Sequence, residues 1–325
     1  MNENIINQVI TEDYSIYHAD TVEVAQSLPD GSVDFSVFSP PFETLYTYSN
    51  SDRDMGNASS SGEFWSHYNF LVKEQFRVMR AGRLVAIHCM NLPTSKVRDG
   101  AIGIRDFRGD LIRAYQAAGF IYHSEVCIWK DPVIAMQRTK ALGLLHKTIK
   151  KDSSMSRMGI PDYLVVMRKP GLNDKPIEGA LTHYVGTDVP AGFVEEVRND
   201  GSSQFVVGSE QSTPIDTWQR YASPVWMDIN PSNTLQFKTA RESDDERHIC
   251  PLQLEVIERA MQLWSVEGDV VWSPFLGIGS EGYVALQMGR KFIGAELKQS
   301  YFELACRNLA EAKKFQQLDM FGEPA

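Results

Sequence analysis

The chain has 325 residues, 43% hydrophobic and 10% aromatic, enough apolar material for one large α/β domain with or without a smaller appendage. Its net charge of -10 argues against indiscriminate binding to nucleic acid, and no apolar run approaches the roughly 18 residues that span a bilayer. The opening MNENIINQVITEDY lacks the basic-then-apolar layout of a secretion signal, so a cytoplasmic location is expected.

Taken in chain order, strand-like runs fall at 15–18, 33–38, 83–88, 121–129 and 163–167. Between them, residues 63–80 place Phe64, Tyr68, Leu71, Val72, Phe76 and Met79 on one helical face, with Gly82 as the expected stop. Residues 106–118 read as a second helix, closed by Gly119. This alternation predicts a mainly parallel sheet covered by helices on both faces. Residues 170–245 are rich in Gly, Pro, Ser, Asp and Asn and read as a smaller irregular module, with short runs such as 205–207. Regular patterning resumes with a helix opened by Pro251, a strand at 269–272, a Gly-rich loop, a helix to Met288, a strand at 291–296 and a last helix over 299–315. That β-loop-α-β order is the usual nucleotide-cofactor half of an α/β sheet. The cysteines, Cys89, Cys127, Cys250 and Cys306, are far apart and outside any metal-ligand spacing, so reduced core residues and no metal site are expected.

Two motifs carry chemistry. Ser39-Pro40-Pro41-Phe42 follows the buried run VDFSVF, and ligands in open parallel sheets sit beyond the carboxyl ends of the strands. Two prolines fix the backbone and remove two N–H donors, leaving rigid carbonyl acceptors. An exocyclic base amine is a poor nucleophile because its lone pair is delocalised into the ring. Accepting its N–H groups at the Ser39 hydroxyl and the Pro40 carbonyl would free that lone pair, while Phe42 stacks on a base taken out of the helix. The second motif is Ser273-Pro274-Phe275-Leu276-Gly277-Ile278-Gly279-Ser280, between a strand and a helix. Gly277 and Gly279 let the backbone approach a cofactor, and Glu296, ending the next strand, is placed to take both hydroxyls of a ribose. With Gly282 the spacing also fits a dinucleotide site; the flanking Pro274-Phe275 and the partner motif argue against it.

Together these residues resemble the amino-methyltransferase family of DNA methyltransferases, in the permuted β-group order with the catalytic motif ahead of the cofactor motif. The resemblance leaves out little but residues 170–225. It implies a Rossmann-like α/β sheet of the S-adenosylmethionine-dependent methyltransferases, circularly permuted, its third strand opening the chain and its second near the end. It also implies a target-recognition region between the motifs. The expected organisation is a catalytic half at 1–169, a target-recognition insertion at 170–245, a cofactor half at 246–315 and a flexible tail at 316–325. Ser39, Pro40, Pro41 and Phe42 match the catalytic motif. Phe275, Gly277, Gly279 and Ser280 match the cofactor loop, and Glu296 matches the ribose-binding acid. His248 and Pro251 fall on the segment bordering the methionine end of S-adenosylmethionine, and Asp20 falls where an acid contacts its adenine. Ser273 departs from the pattern, standing where the family has an acid near the methionine amino group.

Double-stranded DNA is the implied partner. Between residues 130 and 157, Lys130, Arg138, Lys140, Lys147, Lys150, Lys151 and Arg157 stand against Asp131 and Asp152, so the segment carries +5 and the rest of the chain -15. Such a stretch can track phosphates on an otherwise acidic protein. Polar residues 43–62 suit a loop beside the target base. The expected chemistry is direct methyl transfer from S-adenosylmethionine to an exocyclic base amine. Ser at the first catalytic position leans toward cytosine N4 over adenine N6. Gln317-Leu318-Asp319-Met320-Phe321 resembles the short peptides by which bacterial proteins dock on the replicative sliding clamp. An RNA methyltransferase, a non-catalytic DNA- or clamp-binding protein keeping this fold, and a nicotinamide oxidoreductase are the alternatives.

Overall fold

The two ends of the chain interleave in one sheet. The computed structural model describes residues 5–42, 55, 58, 60–94, 99–139, 144–177, 193–197, 203–207, 214–236 and 251–321. The main sheet holds β1 (Asn7–Ile10), β2 (Tyr14–His18), β3 (Val33–Phe38), β4 (Met79–Met90), β7 (Ile121–Ile128), β8 (Asp162–Arg168), β11 (Val225–Trp226), β12 (Val270–Ser273) and β13 (Lys291–Glu296). Across the sheet their order is β1-β2-β13-β12-β3-β4-β8-β7-β11. The expected permutation is there: β2, from the start of the chain, pairs in parallel with β13 from near its end. Of the eight neighbour pairings five are parallel, as the alternation of strands and helices demands. The three antiparallel ones are β1 on β2 and the insertion of β8 between β4 and β7, which the apolar pattern does not announce.

Helices cover both faces. α1 (Thr21–Ser27), α2 (Ser61–Val78) and α3 (Phe107–Ala117) pack on one; α7 (Leu254–Trp264), α8 (Ser280–Gln287) and α9 (Gln299–Phe321) pack on the other. β3 is buried at all six positions, with its two polar side chains partnered: Asp34 accepts from Arg80 and Ser36 donates to the Trp272 carbonyl at 2.7 Å. α2 starts where the Ser60 hydroxyl accepts the Glu63 N–H at 3.2 Å, a serine cap followed by an acid three residues on. It ends at Val78, short of the expected Gly82, because Met79 is already paired with Val33 and Gly82 lies within β4. Shorter elements are β5 (Leu92–Thr94) with β6 (Gly103–Arg105), α4 (Pro132–Thr139) and α5 (His146–Lys151).

The segment 170–245 does not stand wholly apart. β9 (Phe193–Val197) and β10 (Ser203–Val207) form their own antiparallel pair. After α6 (Pro214–Tyr221), however, β11 joins the main sheet beside β7. Arg259 of α7, wholly buried, lies over the rings of Tyr221 and Trp226 at 5.0 and 5.1 Å and pairs with Asp228 at 2.9 Å. Those contacts fasten residues 221–228 to α7. The tail also differs from expectation: α9 runs to Phe321, since 310–321 contains good helix formers and neither Gly nor Pro before Gly322.

Opposite the carboxyl ends, a buried ionic cluster ties the two halves. Arg83 of β4 pairs with Asp269, which precedes β12, and donates through Nε to the Asp34 carbonyl at 3.0 Å. Asp34 accepts from Arg80 at 2.8 Å and from the Val270 N–H at 2.9 Å, and Lys175 reaches Asp269 at 3.0 Å. No helix among the described residues is long and apolar enough to cross a membrane. Cys89, Cys127 and Cys306 are free thiols, and Cys250 lies outside the described residues.

Candidate active site

β3 and β12 run side by side, Ser36 opposite Trp272. The chain continues from β3 to the neighbouring β4 on one side, and from β12 to β13 on the other. The crevice beyond their carboxyl ends is therefore the topological switch point, where open α/β sheets bind ligands. The two motifs are the loops leaving these two strands.

On the β3 side Pro40 and Pro41 are buried, and Ser39 and Phe42 half-buried. Phe42 sets its edge against Phe107, with centroids 6.1 Å apart. Phe38 meets Phe275 of the other loop at 5.8 Å, and Phe275 lies parallel to Tyr68 at 6.4 Å. Ring packing thus holds both loops in place.

On the β12 side the loop closes through Gly279 N–H to the Leu276 carbonyl at 2.8 Å. Gly277 has φ +54°, and a Cβ there would meet nothing within 4 Å, so its backbone faces open space. Gly279, φ +90°, begins α8, and a Cβ on it would come 2.7 Å from Leu309. Gly282 serves packing, since a Cβ there would lie 2.7 Å from Phe292 of β13. The Glu296 carboxylate accepts the Gly277 N–H through Oε2 and the Lys298 N–H through Oε1, both at 2.8 Å. Asp20 sits beside it across the β2/β13 edge, where the Ala19 N–H donates to the Glu296 carbonyl at 3.1 Å. Its Oδ1 also caps α1, accepting from Val22 and Glu23 at 2.8 and 3.3 Å. Ser280 is buried, Pro251 half-buried before α7, and His248 lies outside the described residues.

S-adenosylmethionine fits this donor set. The Glu296 carboxylate, able to accept from a diol, adjoins the open backbone at Gly277. The Ser273 hydroxyl, in place of the family's acid, is buried without a hydrogen-bond partner among the described residues.

The sequence reading misses three residues at this site. His88, near the end of β4, brings Nδ1 to 3.4 Å from the Ser39 hydroxyl. Its Nε2 is 3.2 Å from Oδ2 of Asp162, an ion-pair distance, and finds no hydrogen-bond partner of good geometry among the described residues. Burial alone would raise the Asp162 pKa, but the His88 ring and the Lys130 ammonium reverse this and hold it below the usual carboxylate range. The third is Glu281, in the first turn of α8, whose burial pushes its pKa up to about 8.

The basic stretch lies on the same side as the site. β7 and β4 are both antiparallel to β8, hence parallel to each other, so the connection from β7 to β8 leaves from the carboxyl-end face. Lys147, Lys150 and Lys151 of α5 are exposed there, and Arg157 is half-exposed. Lys130 Nζ is 2.5 Å from the buried Asp162 carboxylate. The Arg138 side chain and Lys140 lie outside the described residues.

The order of the strands, the glycine loop at the switch point and the acid on the adjoining strand define the Rossmann-like sheet of S-adenosylmethionine-dependent methyltransferases. A family model described as DNA methylase, covering N6 and N4 enzymes, matches residues 33–307, and the chain belongs to that family. Among curated relatives, the type II methyltransferase M.BglII of Bacillus subtilis is 22% identical over 297 residues, 91% of this chain and 68% of the relative. The DNA adenine methyltransferase YhdJ of Escherichia coli K12 is 34% identical over 208 residues, 58% of this chain and 70% of YhdJ. Among solved structures, the cytosine-N4-specific PvuII DNA methyltransferase superposes with TM-score 0.59 at 14% identity, covering 98% of each chain. A Thermus thermophilus protein, TTHA0409, solved with S-adenosyl-L-methionine, gives TM-score 0.60 at 20% identity over 90% of this chain and 93% of its own.

Proposed function

We propose that this chain transfers the methyl group of S-adenosylmethionine to the exocyclic amine of a base in double-stranded DNA, and that the base is cytosine, at N4. The observation that carries the reading is the placement of Ser39-Pro40-Pro41-Phe42 and the Gly277–Gly279 loop on adjacent parallel strands. A base and a cofactor held by these loops meet in one crevice. S-adenosylmethionine supplies an electrophilic methyl group. Glu296, Gly277 and Asp20 would hold its nucleoside, while Ser273 and Pro251 would border its amino-acid end, the role the resemblance also gives His248. Ser39 and the Pro40 carbonyl accept the two amine N–H groups, so the nitrogen lone pair is free to attack, and Phe42 stacks on the extruded base. Exposed Lys147, Lys150 and Lys151 lie along the phosphates, with residues 170–225 supplying base contacts. The preference for cytosine N4 rests on Ser at position 39; the adenine specificity in YhdJ's name favours N6 as the second reading.

The test is methylation of unmethylated bacterial DNA followed by nucleoside analysis, with Phe42→Ala and Ser39→Ala as controls. N4-methylcytosine, lost in both variants, supports the reading. N6-methyladenine would move the target to adenine, and activity on RNA but not duplex DNA would overturn the substrate. Residues 317–321 would separately dock on a bacterial sliding clamp. Because the backbone there is helical, docking as an extended peptide requires that turn to unwind. Absence of binding by a peptide of this tail to a bacterial clamp at high micromolar concentration would dismiss it.

A further inference from the structure

Methyl transfer to an exocyclic amine releases one proton that must find an acceptor. When the base nitrogen bonds to the methyl carbon and the C–S bond breaks with its electron pair on sulfur, the nitrogen must lose a proton. Ser39 alone is a poor acceptor, since a hydroxyl that gains a proton has to give one up. The structure sets two further groups in line behind it. β3 and β4 are paired with Phe38 opposite Ile87, so the next residues, Ser39 and His88, are neighbours across the strands. β4 and β8 are paired with His88 opposite Leu164 and Met90 opposite Asp162, which puts Asp162 diagonal to His88 on the same face. His88 Nδ1 stands 3.4 Å from the Ser39 hydroxyl and Nε2 3.2 Å from Asp162 Oδ2, and Lys130 Nζ holds the other carboxylate oxygen at 2.5 Å. His88 and Asp162 are both buried, so the array reaches the crevice through Ser39.

We propose that His88 and Asp162 form a proton relay that acts through Ser39. Asp162, kept anionic by Lys130, fixes the Nε2–H tautomer of His88 and leaves Nδ1 as an acceptor. As the methyl group arrives, the amine proton passes to Ser39 Oγ while the hydroxyl's own proton passes to His88 Nδ1. The resulting imidazolium is neutralised by Asp162 and later releases its proton to water. His88 is thus a positioning and proton-accepting residue. It does not touch the base. The proposal rests on the methyltransferase reading for its reaction, but the tautomer it requires exists without substrate.

Two measurements test it on the full chain. The first is long-range ¹⁵N–¹H correlation of the histidine rings, with His88 assigned through His88→Gln. The expected signature is an Nε2–H ring in the wild type. In Asp162→Asn, Lys130 claims the amide oxygen, so the amide N–H₂ faces Nε2 and the ring proton moves to Nδ1, toward Ser39. The second is the single-turnover methylation rate. Losing a positioned proton acceptor lowers a rate about 10²-fold or more, and a wrong tautomer does the same. Both variants are therefore expected to lose about 100-fold, with dissociation constants for S-adenosylmethionine and DNA changed less than about twofold. An Nδ1–H ring in the wild type, a tautomer indifferent to Asp162→Asn, or variant rates within about threefold of wild type would overturn the relay. A wild type that transfers no methyl group to DNA defeats the methyltransferase reading instead, and the tautomer still decides the pair. If His88→Gln fails to fold, the isosteric Asp162→Asn carries both measurements.

Discussion

Replacing Glu281 by Gln should remove a steep pH dependence of stability. Glu281 lies in the first turn of α8, beside the Gly277–Gly279 loop, and is 4% exposed, and burial raises its pKa from the ordinary 4.5 to about 8. Between these values the folded chain holds one proton that the unfolded chain has released, so stability falls as pH rises. The slope is about 1.4 kcal/mol per pH unit, which amounts to about 5 kcal/mol across the window and levels off above pH 8. Gln keeps the shape and neutrality of the protonated acid and has nothing to ionise. Urea unfolding of both proteins at intervals from pH 5 to pH 8.5, followed by far-ultraviolet circular dichroism, reads the difference directly. At pH 5 the two should agree within about 1 kcal/mol, and by pH 8 the variant should be the more stable by about 3–5 kcal/mol. A difference that stays constant with pH would show that Glu281 ionises normally and refute the reasoning.

Other perturbations have equally definite outcomes. Arg83→Met removes the buried ion-pair partner of the fully buried Asp269, leaving the half-exposed Lys175, and should cost about 3–5 kcal/mol in chemical denaturation. Gly279→Ala combines a left-handed backbone with a contact of 2.7 Å on Leu309, so a loss of about 1–3 kcal/mol is expected, together with weaker S-adenosylmethionine binding by calorimetry. Replacing Lys147, Lys150 and Lys151 together by Ala should weaken DNA binding on all sequences alike. The slope of log K against log salt should become shallower by about 2–3, as measured by fluorescence anisotropy.

Much of the sheet is legible in the sequence because its central strands announce themselves. Val33–Phe38 and Lys291–Glu296 are short, mostly apolar runs bounded by turns, and both form over the residues expected. Ser39–Phe42 and the Gly277–Gly279 loop are readable because a special backbone needs Pro or Gly, and these types are visible in one sequence. What escapes is set by partners distant in the chain. β11 is two residues long and exists because β7 offers an edge and Arg259 a cation between Tyr221 and Trp226. The antiparallel sense of β8 leaves no mark on its apolar pattern. His88 reads as an ordinary residue ending an apolar run, and Asp162 as an acid after a basic stretch. Only the registers of β3, β4 and β8 bring them together behind Ser39. Lys130 counts as one more positive charge until Asp162 is seen beside it.

The most direct test of the central claim is mass spectrometry of nucleosides from unmethylated duplex DNA incubated with the purified chain and S-adenosylmethionine carrying a trideuterated methyl group. The account predicts a trideuterated methyl group on an exocyclic amine, with cytosine N4 as the site, and its loss in Ser39→Ala. Label on cytosine C5, or unlabelled DNA despite demonstrated binding of both S-adenosylmethionine and duplex, would contradict it.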